Sequence, residues 1–588
     1  MIAFGMVLGL LLLIMLAVLE LNKNTILGFV LLLVVTACFV LLFVKVLKDG
    51  KWYWKALGWI GWLAAFVGIL FLTWPPTKAV PAYEGSKPVY TGTVATDKGD
   101  VRGVLLADGA VELYAGIPYA KPPVGELRWK EPQEPDAWED VLDCDHFAPM
   151  CMQPVDLPIY NSLKQIIGYH DYKISLSDNY VAPVSEDGLY VNVWKPAGKV
   201  EGLPVLVYIH GGTLQTGQPW YGDYAGTGLA KKGMIVVNLG YRLGVFGYYA
   251  DAELAAESEH GTTGNYGLLD QIQALKWVQK NIAAFGGDPN NVTISGESAG
   301  AASVSAICTS PLAKGLFRRA VLESSTVASV EPPHSFRLFD EAIASGKELK
   351  ARYHASTAAD LRALDAKTLV NEAYTQHFMT VDGYALTETP YESYKRGEHN
   401  EEALLHGYNS EESAPFILFG GANLKNYEQK VRGYFKEYAD DVLKLYAPKT
   451  DDEAASMWAR IYGAVFFDYP HFCLSRLAKE NGIPTYEYYF SKQNGRLSAW
   501  HSGELIYFYG NVAKPSQLFT EADYALSETM MDYLVNFMKT GDPNGEGLPV
   551  WTDANGGTAL MGLSDTVGMT DEQTTAFFAI LDRMTGWE

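Results

Sequence analysis

Ser298 sits in the pentapeptide Gly296-Glu297-Ser298-Ala299-Gly300. A serine hydroxyl is a useful nucleophile only where the fold presents it above its own backbone, beside a base and beside donors that hold the charge formed on attack. Residues 291–295, NVTIS, are a β-branched run of the kind that forms a buried strand, and residues 299–307, AGAASVSAI, are small, apolar and helix-compatible. A strand that reverses directly into a helix holds the middle residue of its turn in a strained conformation, with the side chain exposed. A Cβ on either flank would collide across so tight a turn, which accounts for Gly296 and Gly300. In this strand–turn–helix setting the G-x-S-x-G pattern makes Ser298 the expected nucleophile. A second glycine turn, His210-Gly211-Gly212-Thr213, follows the run VLVYI at 205–209. Glycines just past a strand end let backbone N–H groups face a ligand, as an oxyanion hole requires.

The elements around these turns alternate. Strand-like runs at 205–209, 234–238 and 292–295 are interleaved with a helix-like stretch at 267–285. That alternation predicts the α/β class, with a parallel or mixed sheet covered on both faces. The 588 residues, 48% of them apolar, supply a large core. The net charge of −22 is uneven, because residues 1–75 carry five lysines against Glu20 and Asp49. The remainder is strongly acidic and repels phosphate backbones, so nucleic acid is not an expected partner. Cys38, Cys144, Cys151, Cys308 and Cys473 are scattered, with no C-x-x-C and no histidine cluster at ligand spacing, so no metal site is expected.

Residues 2–19, 26–44 and 56–74 are apolar and each is close to the ~20 residues a helix needs to cross a bilayer. The first lacks the basic start and small-residue cleavage site of a signal peptide, and two further spans follow it. Three transmembrane helices are therefore expected, with Trp52, Tyr53, Trp54 and Trp74 as interfacial anchors. Lys45, Lys48, Lys51 and Lys55 crowd the second loop, while Lys23 and Lys78 are the only basic residues in the other flanks. By the positive-inside rule the N-terminus and second loop are cytoplasmic, and the chain after Trp74 lies outside. The expected organisation is a three-helix membrane anchor at 1–75, a stiff Pro-rich linker at 76–88 and a catalytic domain at 89–588.

The run NYGLLDQIQALKWVQKNIAAFGGDPNNVTISGESAG (265–300) resembles the signature region of type-B carboxylesterases, the cholinesterase-like branch of the α/β-hydrolases. AGIPYAKPPVGELRW (115–129), SEDGLYVNVW (185–194), VVNLGYRLGVFGY (236–248) and NFMKTGDPN (536–544) carry the same resemblance, which spans roughly residues 87–588. It implies a mostly parallel central sheet flanked by helices, no cofactor, and a small-molecule carboxylic ester as substrate. It also implies roles for residues that spacing alone does not single out. Glu412, in GYNSEE (407–412), aligns with the acid, and His501, in HSGELIYFYG (501–510), with the histidine. The order Ser298, Glu412, His501 is the hydrolase order. Oxyanion donors would be the N–H groups of Gly211, Gly212 and Ala299, and Glu297 resembles a buried carboxylate of the family. Arg128 with Glu186, and Arg242 with Asp270, match family ion pairs that hold loops.

Two departures stand out. Gly188 replaces the usual disulfide partner of Cys151, so Cys144 is an alternative partner, and Glu323-Ser324-Ser325 replaces Gln-Ser-Gly. Trp220, Tyr221 and Phe378 are candidates to line the substrate gorge. An adhesion module that keeps the fold but loses the catalytic set is the rival reading from another class, and an amidase with the same constellation is a second.

Overall fold

The computed structural model of the chain describes residues 2–587 except 107, 168–173, 175, 177–178, 371–377, 418–419, 494–497, 513–517 and 571–574. It divides into two compact units, Met1–Val80 with Val155–Pro183, and Pro81–Pro154 with Val184–Glu588.

The second unit is built on a 13-stranded sheet. In chain order the strands are β1 (Tyr90–Ala95), β2 (Asp100–Leu105), β3 (Val111–Pro118), β4 (Leu142–Asp143), β5 (Tyr190–Pro196), β6 (Leu203–Ile209) and β7 (Ile235–Leu239). They continue as β8 (Gly287–Glu297), β9 (Arg319–Glu323), β10 (Ala403–Asn409), β11 (Thr485–Phe490), β12 (Leu560–Leu563) and β13 (Gly568–Thr570). Across the sheet the order is β13-β12-β11-β10-β9-β8-β6-β7-β5-β3-β2-β1, with β4 beside β2. The stretch from β7 to β12 is parallel throughout, and both ends are antiparallel. β7, β9 and β10 are buried at every position and β6 at all but its first residue, so both faces are covered, and Asn238, Arg319, Glu323, His406 and Asn409 are enclosed among the apolar residues.

In the first unit, α1 (Ile2–Leu21), α2 (Ile26–Leu42, prolonged by a π turn at Phe43–Leu47) and α3 (Trp52–Leu72) are each long and apolar enough to cross a membrane. Trp52, Tyr53 and Trp54 form the first turn of α3 rather than preceding it. Leu19, Leu32 and Trp62 are among its buried core, and Trp62 Nε1 donates to Thr36 Oγ1 at 3.0 Å. A further helix, α4 (Pro158–Ile167), packs against α1.

Two helices of the second unit matter for the site. α5 (Tyr266–Asn281) ends in a 3-10 turn over Ile282–Phe285 that Gly286 closes at φ 91°, so the helix-like stretch at 267–285 is two pieces. α6 (Ala299–Thr309) is buried at all eleven positions, and its small side chains let it lie close against β8 and β9.

Candidate active site

Ile209 of β6 pairs with Gly296 of β8, which sets the glycine turn after β6 alongside the turn after β8. Between β8 and α6, Ser298 stands at φ 56°, ψ −126°, a conformation that side-chain-bearing residues rarely hold. Its N–H donates to the Glu323 carbonyl at 2.8 Å and its carbonyl accepts the Ala302 N–H at 2.9 Å, so both neighbours in the fold pin the strained residue. A Cβ on Gly296 would come within 2.5 Å of the Gly300 backbone. One on Gly300 would run into the Ile209 carbonyl.

Across from Ser298, a Cβ on Gly211 would meet Ser298 Cβ at 2.9 Å, so only the bare backbone passes there. Gly212 holds φ 107°, and Thr213 and Leu214 are also left-handed at 57° and 59°. The tight loop is fastened from behind, because the Gln215 and Thr216 N–H groups both donate to the Gly212 carbonyl at 3.0 Å. Within the described residues the N–H groups of Gly211, Gly212 and Ala299 donate to nothing. His210 is turned inward, its ring stacked on Tyr241, and burial lowers it to about 4, so it is neutral.

Glu412 reaches His501: Oε2 lies 2.5 Å from Nδ1, and Oε1 accepts the Asn409 N–H at 2.8 Å. Glu411, one residue earlier, points elsewhere and accepts from Gln493 Nε2 at 2.7 Å. His501 Nε2 lies 3.2 Å from Glu297 Oε1 and has no hydrogen-bond partner among the described residues. Glu297 is the residue before Ser298, so the imidazole stands at the elbow. Phe416 and Phe467 flank the ring, with centroids 5.1 and 4.9 Å away. These two, rather than Trp220 stacked on Phe147 or Tyr221 against Tyr224, are the aromatic contacts of His501. Phe378 makes no such ring contact among the described residues.

Four buried carboxyls lie around the histidine, and their hydrogen bonds are invisible to local sequence reading. Ser502, at φ 71°, donates to Glu297 Oε1 at 2.5 Å. Glu504 accepts from Ser324 Oγ at 2.7 Å and from Asn409 Nδ2 at 2.5 Å. Burial raises Glu297 to about 7 against the pull of His501, and burial likewise raises Glu412 against the Asn409 N–H that it accepts. Glu323 is driven well above the usual carboxylate range by burial and by Glu504 and Glu297. Its Oε2 lies 3.3 Å from the Tyr509 hydroxyl and 3.4 Å from Ser295 Oγ.

Outside this centre, Arg128 grips Glu186 with two bonds of 2.6 and 2.7 Å, and Arg242 grips Asp270 with two of 2.7 and 2.8 Å. Cys144 and Cys151 are both free, buried thiols. A Cβ on Gly188 would lie 2.7 Å from Cys151 Sγ, so the position that carries a cysteine in the resembled family does abut Cys151.

A strained serine on the strand–helix turn of a largely parallel sheet, with a glycine loop facing it, is the arrangement of the α/β-hydrolases, and the second unit has that fold. Residues 91–577 match the profile of the carboxylesterase family, and the chain belongs to that family as a serine carboxylesterase. It is 34% identical over 474 residues to the para-nitrobenzyl esterase of Bacillus subtilis (strain 168), covering 77% of this chain and 91% of that one. It is also 34% identical over 433 residues to the fumonisin B1 esterase of Sphingopyxis macrogoltabida, covering 72% and 75%. Among solved structures, a carboxylesterase of Geobacillus stearothermophilus matches with TM-score 0.70 at 30% identity, over 83% of this chain and all of that one.

Proposed function

We propose that Ser298, His501 and Glu412 carry out the ester hydrolysis of this carboxylesterase through an acyl-enzyme intermediate. The observation that carries the assignment is the 2.5 Å contact of Glu412 with His501 Nδ1, which leaves Nε2 without a hydrogen bond among the described residues, 3.2 Å from Glu297 Oε1 at the elbow. His501 Nε2 takes the proton from the Ser298 hydroxyl as its oxygen attacks the ester carbonyl. Glu412 orients the ring and stabilises the imidazolium that forms. The unbonded N–H groups of Gly211, Gly212 and Ala299 receive the oxyanion of the tetrahedral intermediate. Nε2 returns the proton to the departing alcohol, and water repeats the sequence on the acyl-enzyme to release the carboxylic acid and restore Ser298. The reaction draws on no cofactor. Phe416 and Phe467 beside the imidazole favour an apolar ester substituent. The three apolar helices support a membrane anchor, and the lysines between α2 and α3 favour an outer-side hydrolase by the positive-inside rule.

A series of short-chain chromogenic esters, run with the wild type and Ser298→Ala, tests the assignment. The variant is expected to fold normally and lose activity by about three orders of magnitude or more. A folded Ser298→Ala enzyme keeping half the activity overturns it.

A further inference from the structure

The hydrolase sequence is interrupted. Met150–Cys151 pairs with Val184–Ser185, and between them the chain leaves the hydrolase unit as Val155–Pro183 and becomes part of the unit formed by the three apolar helices. There it is bonded at one end of the helix bundle. Asn179 Nδ2 donates to the Asn24 carbonyl, in the turn between α1 and α2, at 2.9 Å. The Val181 N–H donates to the Pro76 carbonyl at 3.0 Å, and the Lys78 N–H to the Val181 carbonyl at 3.1 Å. Asn24 in turn bonds Thr73 Oγ1 at 2.9 Å, beyond the last turn of α3. This is the end from which the chain runs on toward the hydrolase.

α4 lies within this segment. Pro158 and Ser162, one turn apart, are buried, and the helix packs on α1. At three-residue spacing, Leu157, Tyr160, Leu163 and Ile166 are 39–60% exposed, and Ile174 and Leu176 are exposed beyond them. In a soluble surface helix the polar residues would face outward and these would face in. Here these apolar side chains face outward together with Asn161, and along α1, α2 and α3 Leu13, Leu33 and Leu57 are likewise more than half exposed. An exposed apolar face on a helix packed against α1, in a segment whose Asn179 and Val181 are bonded at the bundle end where the chain leaves the helices, fits a helix lying in the headgroup–acyl boundary. Tyr180, over whose ring the Lys78 ammonium sits at 4.9 Å, is the amphipathic side chain expected at that depth.

We propose that the inserted segment is a fourth membrane-contacting element, with lipid acyl chains and headgroups covering the exposed face of α4. This rests on the three N-terminal helices spanning a bilayer. The hydrolase is then tied to the membrane at three points of its chain, before Pro81, after Pro154 and before Val184.

The test uses the full-length protein reconstituted in phosphatidylcholine vesicles. In a Cys38→Ser background, Leu163→Cys and Ile166→Cys are labelled with bimane. Val550→Cys, exposed on the hydrolase, serves as the aqueous control, and native Cys38 as the membrane control, because the other four cysteines are buried. Cys38 lies 13 residues past Thr25, about 20 Å along α2 from the turn that Asn179 bonds. The Leu163 and Ile166 labels are expected to be quenched at least about two-fold by lipid nitroxides at the shallow 5-position, less by those at the 12-position, and several-fold less than the Val550 label by iodide. Labels that behave like Val550 refute the proposal. Labels shielded from both quenchers mean that protein covers the face, which also refutes it. If the Cys38 label too escapes the lipid quenchers, the spanning reading fails and takes the proposal with it; if Cys38 is quenched and α4 is not, only the proposal falls.

Discussion

Replacing Glu412 by Gln removes a charge while keeping the shape of the side chain. The amide oxygen still accepts the Asn409 N–H that Glu412 accepts at 2.8 Å, so the fold loses little. What is lost is the carboxylate 2.5 Å from His501 Nδ1 at the moment the ring becomes a cation. With charge centres about 4 Å apart and an effective dielectric of about 20, that attraction is about 4 kcal/mol. It acts in the transition state and is nearly absent in the neutral ground state, so it appears in kcat, as about three decades, with KM close to unchanged. The assay is steady-state hydrolysis of a chromogenic ester, with circular dichroism and thermal melting as folding controls. Glu411→Gln is the paired control, because the Glu411 carboxylate accepts from Gln493 rather than reaching His501, and the variant should stay within about two-fold of wild type. A Glu412→Gln enzyme retaining more than about a tenth of kcat, or a Glu411→Gln enzyme losing as much, refutes the reasoning.

His501→Ala should match the loss of Ser298→Ala, and combining the two should cost little more, because the groups act as one unit; additive losses in kcat would contradict this. Gly300→Ala forces a methyl group into the Ile209 carbonyl and should cost about 3 kcal/mol or more, read as a lower Tm together with lost activity; an unchanged Tm would mean the turn is looser than described. Burial raises the Glu487 carboxyl to about 8, so it is neutral in the folded state where the unfolded chain would ionise it. Its stabilising contribution is therefore present at pH 4 and lost as pH rises through about 8. Glu487→Gln should reduce the fall in Tm between pH 5 and 9, and identical pH profiles would rule the contribution out. Protease added to intact cells should cut the exposed residues 84–87 without lysis, yet leave the hydrolase with the membrane because Val155–Pro183 holds it there; protection until lysis would reverse the topology, and release by that cut would contradict the second tether.

The parts of the site that were legible from sequence are those made within one short stretch. The elbow is readable because strand, glycines and helix are consecutive, and Ser298 stands between β8 and α6 at φ 56°. Glu412 and His501 became readable through family motifs, since nothing in the local pattern distinguishes Glu412 from Glu411. What separates those two is register: Glu411 bridges to Trp500 on one side while Glu412 turns to His501 on the other. The carboxyl network was not legible. Ser502 meets Glu297 and Ser324 meets Glu504 only because β8, β9 and the segment after β11 converge at one end of the sheet, across about 200 residues of chain. Nor is the excursion at Val155–Pro183 visible, because ten helical residues with five apolar side chains look like any short amphipathic segment until their exposed face is seen. The apolar span read from hydropathy begins at Ala56, whereas α3 begins at Trp52, because the aromatic residues and Lys55 are compatible with a first turn at an interface.

The most direct measurement of the central claim is covalent trapping by a fluorophosphonate ester. A phosphonate added in excess should inactivate the enzyme completely, and mass spectrometry of the digested protein should find one adduct per chain, on the peptide that carries Ser298. His501→Ala should slow the labelling by orders of magnitude, and Ser298→Ala should abolish it. Complete inactivation with Ser298 unmodified, or with the adduct on another serine, would contradict the account.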